Sequence, residues 1–204
     1  MRILLLLISW CLLCVSCITG RNASGTRISS VMEVRTPVFG NDKTEAVFHG
    51  SMELYENDFS GIFALKKESA EEYRMVLMSE VGMSLLDLSF TSKDFKVNYC
   101  IEPLRKKALL KLLYHDFLLL TVAPKPQSLI PEKGQHSGAQ FISFKKKDSR
   151  DFYSFEKEKM VGITSKAFLN RTTIQFSGMN DGLADLVQIR HKPVKLKMKL
   201  KRIN

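Results

Sequence analysis

The chain has 204 residues, with 31 Lys and Arg against 21 Asp and Glu, a length that suits one domain. Its basic excess is concentrated from Arg190 onward, where Arg190, Lys192, Lys195, Lys197, Lys199, Lys201 and Arg202 meet no acid and no aromatic residue. Nucleic-acid binding asks for cations interleaved with stacking aromatics, so that class is excluded.

Residues 1–16 read as a signal peptide of the lipoprotein kind. Arg2 gives a short positive start, Ile3 to Leu13 an apolar run broken only by Ser9, and Val15-Ser16 a small-residue exit to Cys17. The run is short for a bilayer span and right for a signal. Cys14 stands where such sites usually carry Leu, and a cut before Cys14 would put Leu13 at the cleavage point, which is worse. The alternative is an ordinary secretory signal in which Cys17 has no special role. On the lipoprotein reading, Cys17 carries palmitate-class acyl chains and holds the chain on a membrane, since several buried chains give stable attachment where one does not. The Ile18 to Asn22 stretch has no acidic residue, which points to the periplasmic face of the outer membrane. Of the four cysteines, Cys11 and Cys14 leave with the signal and Cys17 is lipidated. Cys100 alone remains, as a small structural hydrophobe with no disulfide partner.

Residues 17–44 are expected to be the lipidated cysteine and a flexible tether, because Thr19 to Lys43 is rich in Ser, Gly, Asn and Thr and has no period. The domain is expected over 45–204. Phe48, Gly50, Met52 and Leu54 alternate with polar neighbours, and after a turn at Asn57-Asp58 so do Phe59, Gly61, Phe63 and Leu65, which is a hairpin pattern. Tyr73–Ser79, Met83–Phe90 and Phe95–Cys100 continue it as a meander, with turns at Glu80-Val81-Gly82 and Ser92-Lys93-Asp94. Val81 is an odd turn residue. It either projects into solvent or folds back onto the sheet.

Leu104 to Leu120 reads as a helix with Pro103 at its first turn. Leu109, Leu110, Leu113, Phe117 and Leu120 share one face, and Ala108, Leu112 and Leu119 form a second apolar patch. Lys107, Lys111 and His115 make the wet stripe. A helix this apolar is buried nearly all round or sits against something greasy. Val122 to Gly138 is Pro- and Gly-rich and reads as a long loop or lid. Strand patterns resume at 140–144, 151–155, 160–168, 172–176 and 183–189, and the chain ends in Val194 to Lys201, with lysines on one face only. These elements predict an α+β domain: a strongly curved antiparallel sheet, an incomplete β-barrel of about 11 strands, closed by a greasy helix.

Phe48-His-Gly50-Ser-Met52, the Asn57 turn, Tyr73-Arg-Met-Val-Leu-Met-Ser-Glu-Val-Gly82-Met-Ser-Leu-Leu-Asp-Leu and Val194-Lys-Leu-Lys-Met198 resemble, in order over residues 45–203, the LolA/LolB lipoprotein-localisation superfamily, in particular its LolB-like outer-membrane receptors. The resemblance implies an apolar cavity that takes acyl chains of lipids or lipoproteins. It also implies a counterpart, at Val81, of an exposed loop leucine used at the membrane step, although Glu80 stands where that loop has Pro.

The sequence contains no Gly-x-Ser-x-Gly, phosphate loop, dinucleotide fingerprint or His-Glu-x-x-His, so the expectation is a protein that is not an enzyme and needs no cofactor or metal. His49, His115, His136 and His191 lie far apart in sequence, and Asp87 is expected on an outward strand face. The candidate ligand-binding residues are Phe48, Met52, Phe63, Leu109, Leu113 and Phe117, with Val81 as a membrane-contact residue and Cys17 as the lipidation site. The expected function is an outer-membrane-anchored acyl-chain binder, acting as an acceptor in lipoprotein sorting. The alternative is a structural envelope lipoprotein of the same fold with no ligand. Expected partners are the membrane itself, lipoproteins and a periplasmic carrier, with the chain a monomer.

Overall fold

A computed structural model describes residues 26–27, 34–39, 43–122, 132–136 and 139–203. Cys17 and the signal segment lie outside the described residues. The strands are β1 (Thr26–Arg27), β2 (Glu45–Leu54), β3 (Asn57–Lys67), β4 (Tyr73–Ser79), β5 (Ser84–Phe90) and β6 (Phe95–Cys100) before the helix. After it come β7 (Glu132–His136), β8 (Ala139–Lys145), β9 (Ser149–Glu156), β10 (Lys159–Ala167), β11 (Arg171–Asn180), β12 (Leu183–Lys192) and β13 (Leu196–Arg202). The helix α1 spans Lys107–Thr121, after a 3-10 turn at Glu102–Leu104 that holds Pro103.

All described strands join one antiparallel sheet in the order β1-β7-β8-β9-β10-β11-β12-β13-β2-β3-β4-β5-β6. The expected α+β incomplete barrel of about 11 strands is therefore corrected. Sheet dominates, the described strands number thirteen, and the order ends at β1 and β6 without closing into a barrel. Among the described residues the single α-helix lies on one face of an open sheet and does not complete a wall. That face is nonetheless curved. The Tyr114 hydroxyl on α1 donates to the Thr91 carbonyl at the end of β5, while Asp116, two residues on, bonds His191 of β12. In a flat sheet β5 and β12 would lie about 24 Å apart. Both reach a helix only about 10–12 Å across.

Alternation was a good guide because one face is buried: β2 buries Ala46, Phe48, Gly50, Met52 and Leu54, and β13 buries Leu196, Met198 and Leu200. The first hairpin turns one pair earlier than expected, at Tyr55-Glu56, with Leu54 opposite Asn57. Register there is set by matching Phe48 to Phe63 and Met52 to Phe59 across the pair, and that match forces Tyr55 to φ 53°. The β11–β12 hairpin uses Asp181-Gly182 with both φ positive, the favoured two-residue turn. The expected lid at 122–138 contains β7, which pairs with β8. Residues 34–39, inside the segment read as tether, pack on the domain. Val34 and Val38 are buried, Ala184 N–H donates to the Pro37 carbonyl, and the Thr36 hydroxyl donates to the Leu120 carbonyl at the end of α1. No helix among the described residues is long and apolar enough to cross a membrane.

Candidate functional site

The inner face of the sheet and α1 meet in two chemically different ways. Towards its N-terminus the helix walls an apolar cavity of about 370 Å³, between Leu54 and Tyr55 of the first hairpin, Val194 before β13, Pro103, and Ala108, Leu109 and Leu112 of α1. Asn57, Lys106 and Asn170 add the few polar groups. The second apolar patch of the helix thus has a reason: Ala108 and Leu112 face this space, while Leu119 is buried in the core. A cavity of this size with sparse polar lining falls in the range of small-ligand sites. A depression of similar volume on the outer face, around Phe141, Phe152, Thr164 and Thr173, is more polar, with Lys166 and Arg171 in its wall.

Towards its C-terminus the helix sits on a polar row. Asp151, Ser165, Thr172 and His191 are register neighbours on β9, β10, β11 and β12, and all four are buried. Asp116 descends onto this row from α1. His191 Nε2–H donates to Asp116 Oδ2 at 2.8 Å, and the Thr172 hydroxyl donates to His191 Nδ1 at 3.2 Å. Asp116 is fully buried, and burial pushes its carboxyl above the ordinary carboxylate range while the His191 hydrogen bond works against that rise. Asp151 receives the Ser165 hydroxyl at 2.6 Å and pairs with Lys146 Nζ at 2.6 Å. Beside them burial pulls the His115 imidazole below its usual value, so the expected wet stripe is wet only at Lys107 and Lys111. Thr172, His191 and Asp116 share the residue types of a hydrolase triad. Here, however, the hydroxyl is buried beneath the helix, and the arrangement works as a clamp fastening α1 to the sheet.

The expected ligand-binding residues are brought together. Phe48, Met52, Phe63, Leu113 and Phe117 are at most 1% exposed and belong to one core cluster, in which Leu109 also lies; Leu109 alone of the six lines the cavity as well. Val81 is 79% exposed on a turn where Gly82 adopts φ 83°, and Met83 beside it is 63% exposed, so the turn projects and does not fold back. Glu80 of that turn accepts from His49 at 2.8 Å. Cys100 is buried, its thiol pushed up by burial. Asp87 does face outward, but it is covered. Arg74 grips both carboxylate oxygens at 3.0 and 2.6 Å and Asn98 donates a third bond, which together hold its carboxyl below the usual range.

Sequence reasoning missed the polar row, although the signal was present. His191 continues the inward series of Val187 and Ile189, as Thr172 does with Ile174 and Phe176. A polar residue at an inward position in each of four consecutive strands is a pattern readable by alternation.

No protein-family model matches the chain, and no curated protein matches its sequence. Among solved structures it is similar to the crystal structure of a LolA-superfamily protein from Nitrosomonas europaea. The TM-score is 0.52 and the identity 6%, over 84% of this chain and 87% of that one. At that identity the likeness is one of fold. It agrees with the fold that the LolA/LolB resemblance implies and does not single out a LolB-like protein.

Proposed function

We propose that this chain is a non-enzymatic envelope lipoprotein, tethered through Cys17 at the periplasmic face of the outer membrane, that binds acyl chains of lipids or lipoproteins. The observation that carries the reading is the cavity of about 370 Å³ under the first half of α1, walled by Leu54, Ala108, Leu109, Leu112 and Val194. Its lining suits a hydrocarbon chain, and Lys106 at its wall suits an acidic end. The fold likeness to a LolA-superfamily protein supports the same reading. Exposed Val81 is then the membrane-touching residue of an acceptor in lipoprotein sorting.

Titration of the purified, delipidated full chain with a fluorescent fatty acid tests this. Wild type takes up the probe saturably. Leu112→Trp or Ala108→Trp fills the cavity and lowers affinity at least tenfold, a loss of about 1.4 kcal/mol, with the melting temperature kept. Val81→Glu retains both uptake and melting temperature but slows transfer of labelled lipid to vesicles. Absence of saturable uptake, or equal affinity in the filled variants, would favour the second reading. That reading is a structural envelope lipoprotein, supported by the tight packing of Phe48, Met52, Phe63, Leu113 and Phe117.

A further inference from the structure

Two neighbouring turns at one edge of the sheet combine exposed apolar residues with cations and no acid. Strand pairing assigns each turn to its edge. Leu54 is opposite Leu196, Lys192 opposite Arg171, and Arg171 opposite Lys166, so the β2–β3, β12–β13 and β10–β11 turns all lie on one edge. On that edge Phe168 is 96% exposed and Leu169 73% exposed, the most prominent apolar pair on the described surface. Tyr55 is exposed beside them along the edge, and Asn170 and Tyr55 both line the apolar cavity, so the cavity opens here. The segments Lys166-Ala-Phe-Leu-Asn-Arg171 and Lys192-Pro-Val-Lys195 contain four cations and no acid, and all four cations are exposed. Lys166 leans over the Phe152 ring at 4.7 Å, which leaves its charge at the surface. Elsewhere along this edge the β2–β3, β4–β5 and β8–β9 turns add Glu56, Glu80 and Asp148, so the cationic character is local to the β10–β11 and β12–β13 turns. The opposite edge carries Glu68, Glu71 and Glu72 between β3 and β4, Lys93 and Asp94 between β5 and β6, Lys157 and Glu158 between β9 and β10, and Asp181 between β11 and β12.

A projecting aromatic–aliphatic pair ringed by cations and backed by neutral Asn and Pro has the composition of an interfacial membrane contact. The apolar tip enters the boundary between headgroups and acyl chains, and the cations meet anionic headgroups. An acidic protein surface would satisfy Lys166, Arg171, Lys192 and Lys195, but it would gain nothing from a nearly fully exposed Phe168. We infer that the β10–β11 turn, Phe168-Leu169 with its rim of Lys166, Arg171, Lys192 and Lys195, docks the domain edge-on against an anionic phospholipid bilayer, so that the apolar cavity faces the membrane. The Val81 turn, between β4 and β5, lies farther along the same edge, and this contact uses different residues from it. The contact rests on the edge's own chemistry and holds whether or not the cavity takes a ligand.

Trp10, the sole tryptophan, leaves with the signal on the lipoprotein reading, so the chain carrying Phe168→Trp, with Trp10→Phe to silence any uncleaved form, reports on this turn alone. It is reconstituted on vesicles of phosphatidylcholine with or without phosphatidylglycerol, and flotation first establishes attachment. Docking makes the introduced indole blue-shifted and quenched by lipids brominated on their chains, more strongly with phosphatidylglycerol present. The quenching falls when Lys166, Arg171 and Lys192 are all changed to Gln. The matching chain with Ile203→Trp, on the opposite edge, stays water-exposed. A chain that floats while its 168 indole remains open to aqueous iodide assigns the edge to a protein partner and overturns the bilayer as occupant. Equal quenching on both vesicle types, or equal quenching at 203, overturns it too. A chain that does not float fails the tethering reading as well.

Discussion

Asp116 is the most exposing test of how the helix is held. A carboxyl with no solvent access survives only because His191 donates to it and Thr172 fixes the ring from the other side. Asp116→Ala strands the His191 N–H in the interior and leaves a small void. His191→Ala strands the carboxyl. Each single change is expected to cost about 3 kcal/mol, as breaking a buried pair does. The double variant is expected to cost less than the sum by about 1–2 kcal/mol, because no partner is then left unpaired. Asp116→Asn keeps an oxygen for the imidazole N–H and should cost about half as much as the alanine. Urea unfolding of wild type and these four variants measures the coupling. Additive losses would mean that the clamp contributes nothing beyond packing. From the sequence, Asp116 stood among leucines on a helix and His191 75 positions away in a strand, with no local pattern to pair them. Cys100 was easier, because it depends on its own strand end, whereas the sequence left Val81 open between projecting and folding back.

At the scale of elements, period-two alternation found nearly every strand because the sheet has one wet and one dry face. It did worse at turns, where the hairpin register is decided by the partner strand. Asn57-Asp58 looked like a turn, yet pairing Met52 with Phe59 pushed the reversal onto Tyr55 and Glu56. The helix began three residues later than expected because Pro103 belongs to a preceding 3-10 turn. Two glycines show what backbone context adds. Gly61, at φ 150° inside β3, has the Met78 carbonyl 1.9 Å from where a Cβ would sit. Gly82, at φ 83° in the projecting turn, has nothing within 4 Å. Gly82→Ala should cost only the positive-φ penalty, roughly 1 kcal/mol. Gly61→Ala must push β3 and β4 apart and should cost at least about 3 kcal/mol. Thermal melts of the two variants check the ranking, and a milder Gly61→Ala would mean that β4 yields at its end.

Across the whole molecule, the order of the sheet makes one short strand decisive. β2 to β6 form one meander and β7 to β12 another, and β13 is laid between them, with Leu186 to Arg190 paired on one side and Phe48 to Leu54 on the other. The alternation of Leu196, Met198 and Leu200 with lysines made β13 the clearest strand in the sequence, but nothing local says that its partner is β2, nearly 150 residues upstream. That pairing is set by which two bare edges remain once each meander has formed, a property of the chain as a whole. It also carries the site, since Leu54 and Val194 line one cavity together only while β13 joins the two halves. A chain ending at Lys195 should therefore lose more than one strand's worth of stability. It leaves β12 and β2 as unpaired edges, removes Leu196, Met198 and Leu200 from the core, and lets the two meanders part. The expected result is loss of the single cooperative melt, rapid proteolysis and loss of fatty-acid uptake. Addition of a peptide spanning residues 194–204 should restore part of all three, because the slot it fills is defined by backbone pairing on both sides. A truncated chain that melts cooperatively at the wild-type temperature would show that the halves hold together through α1 and its Asp116 clamp alone.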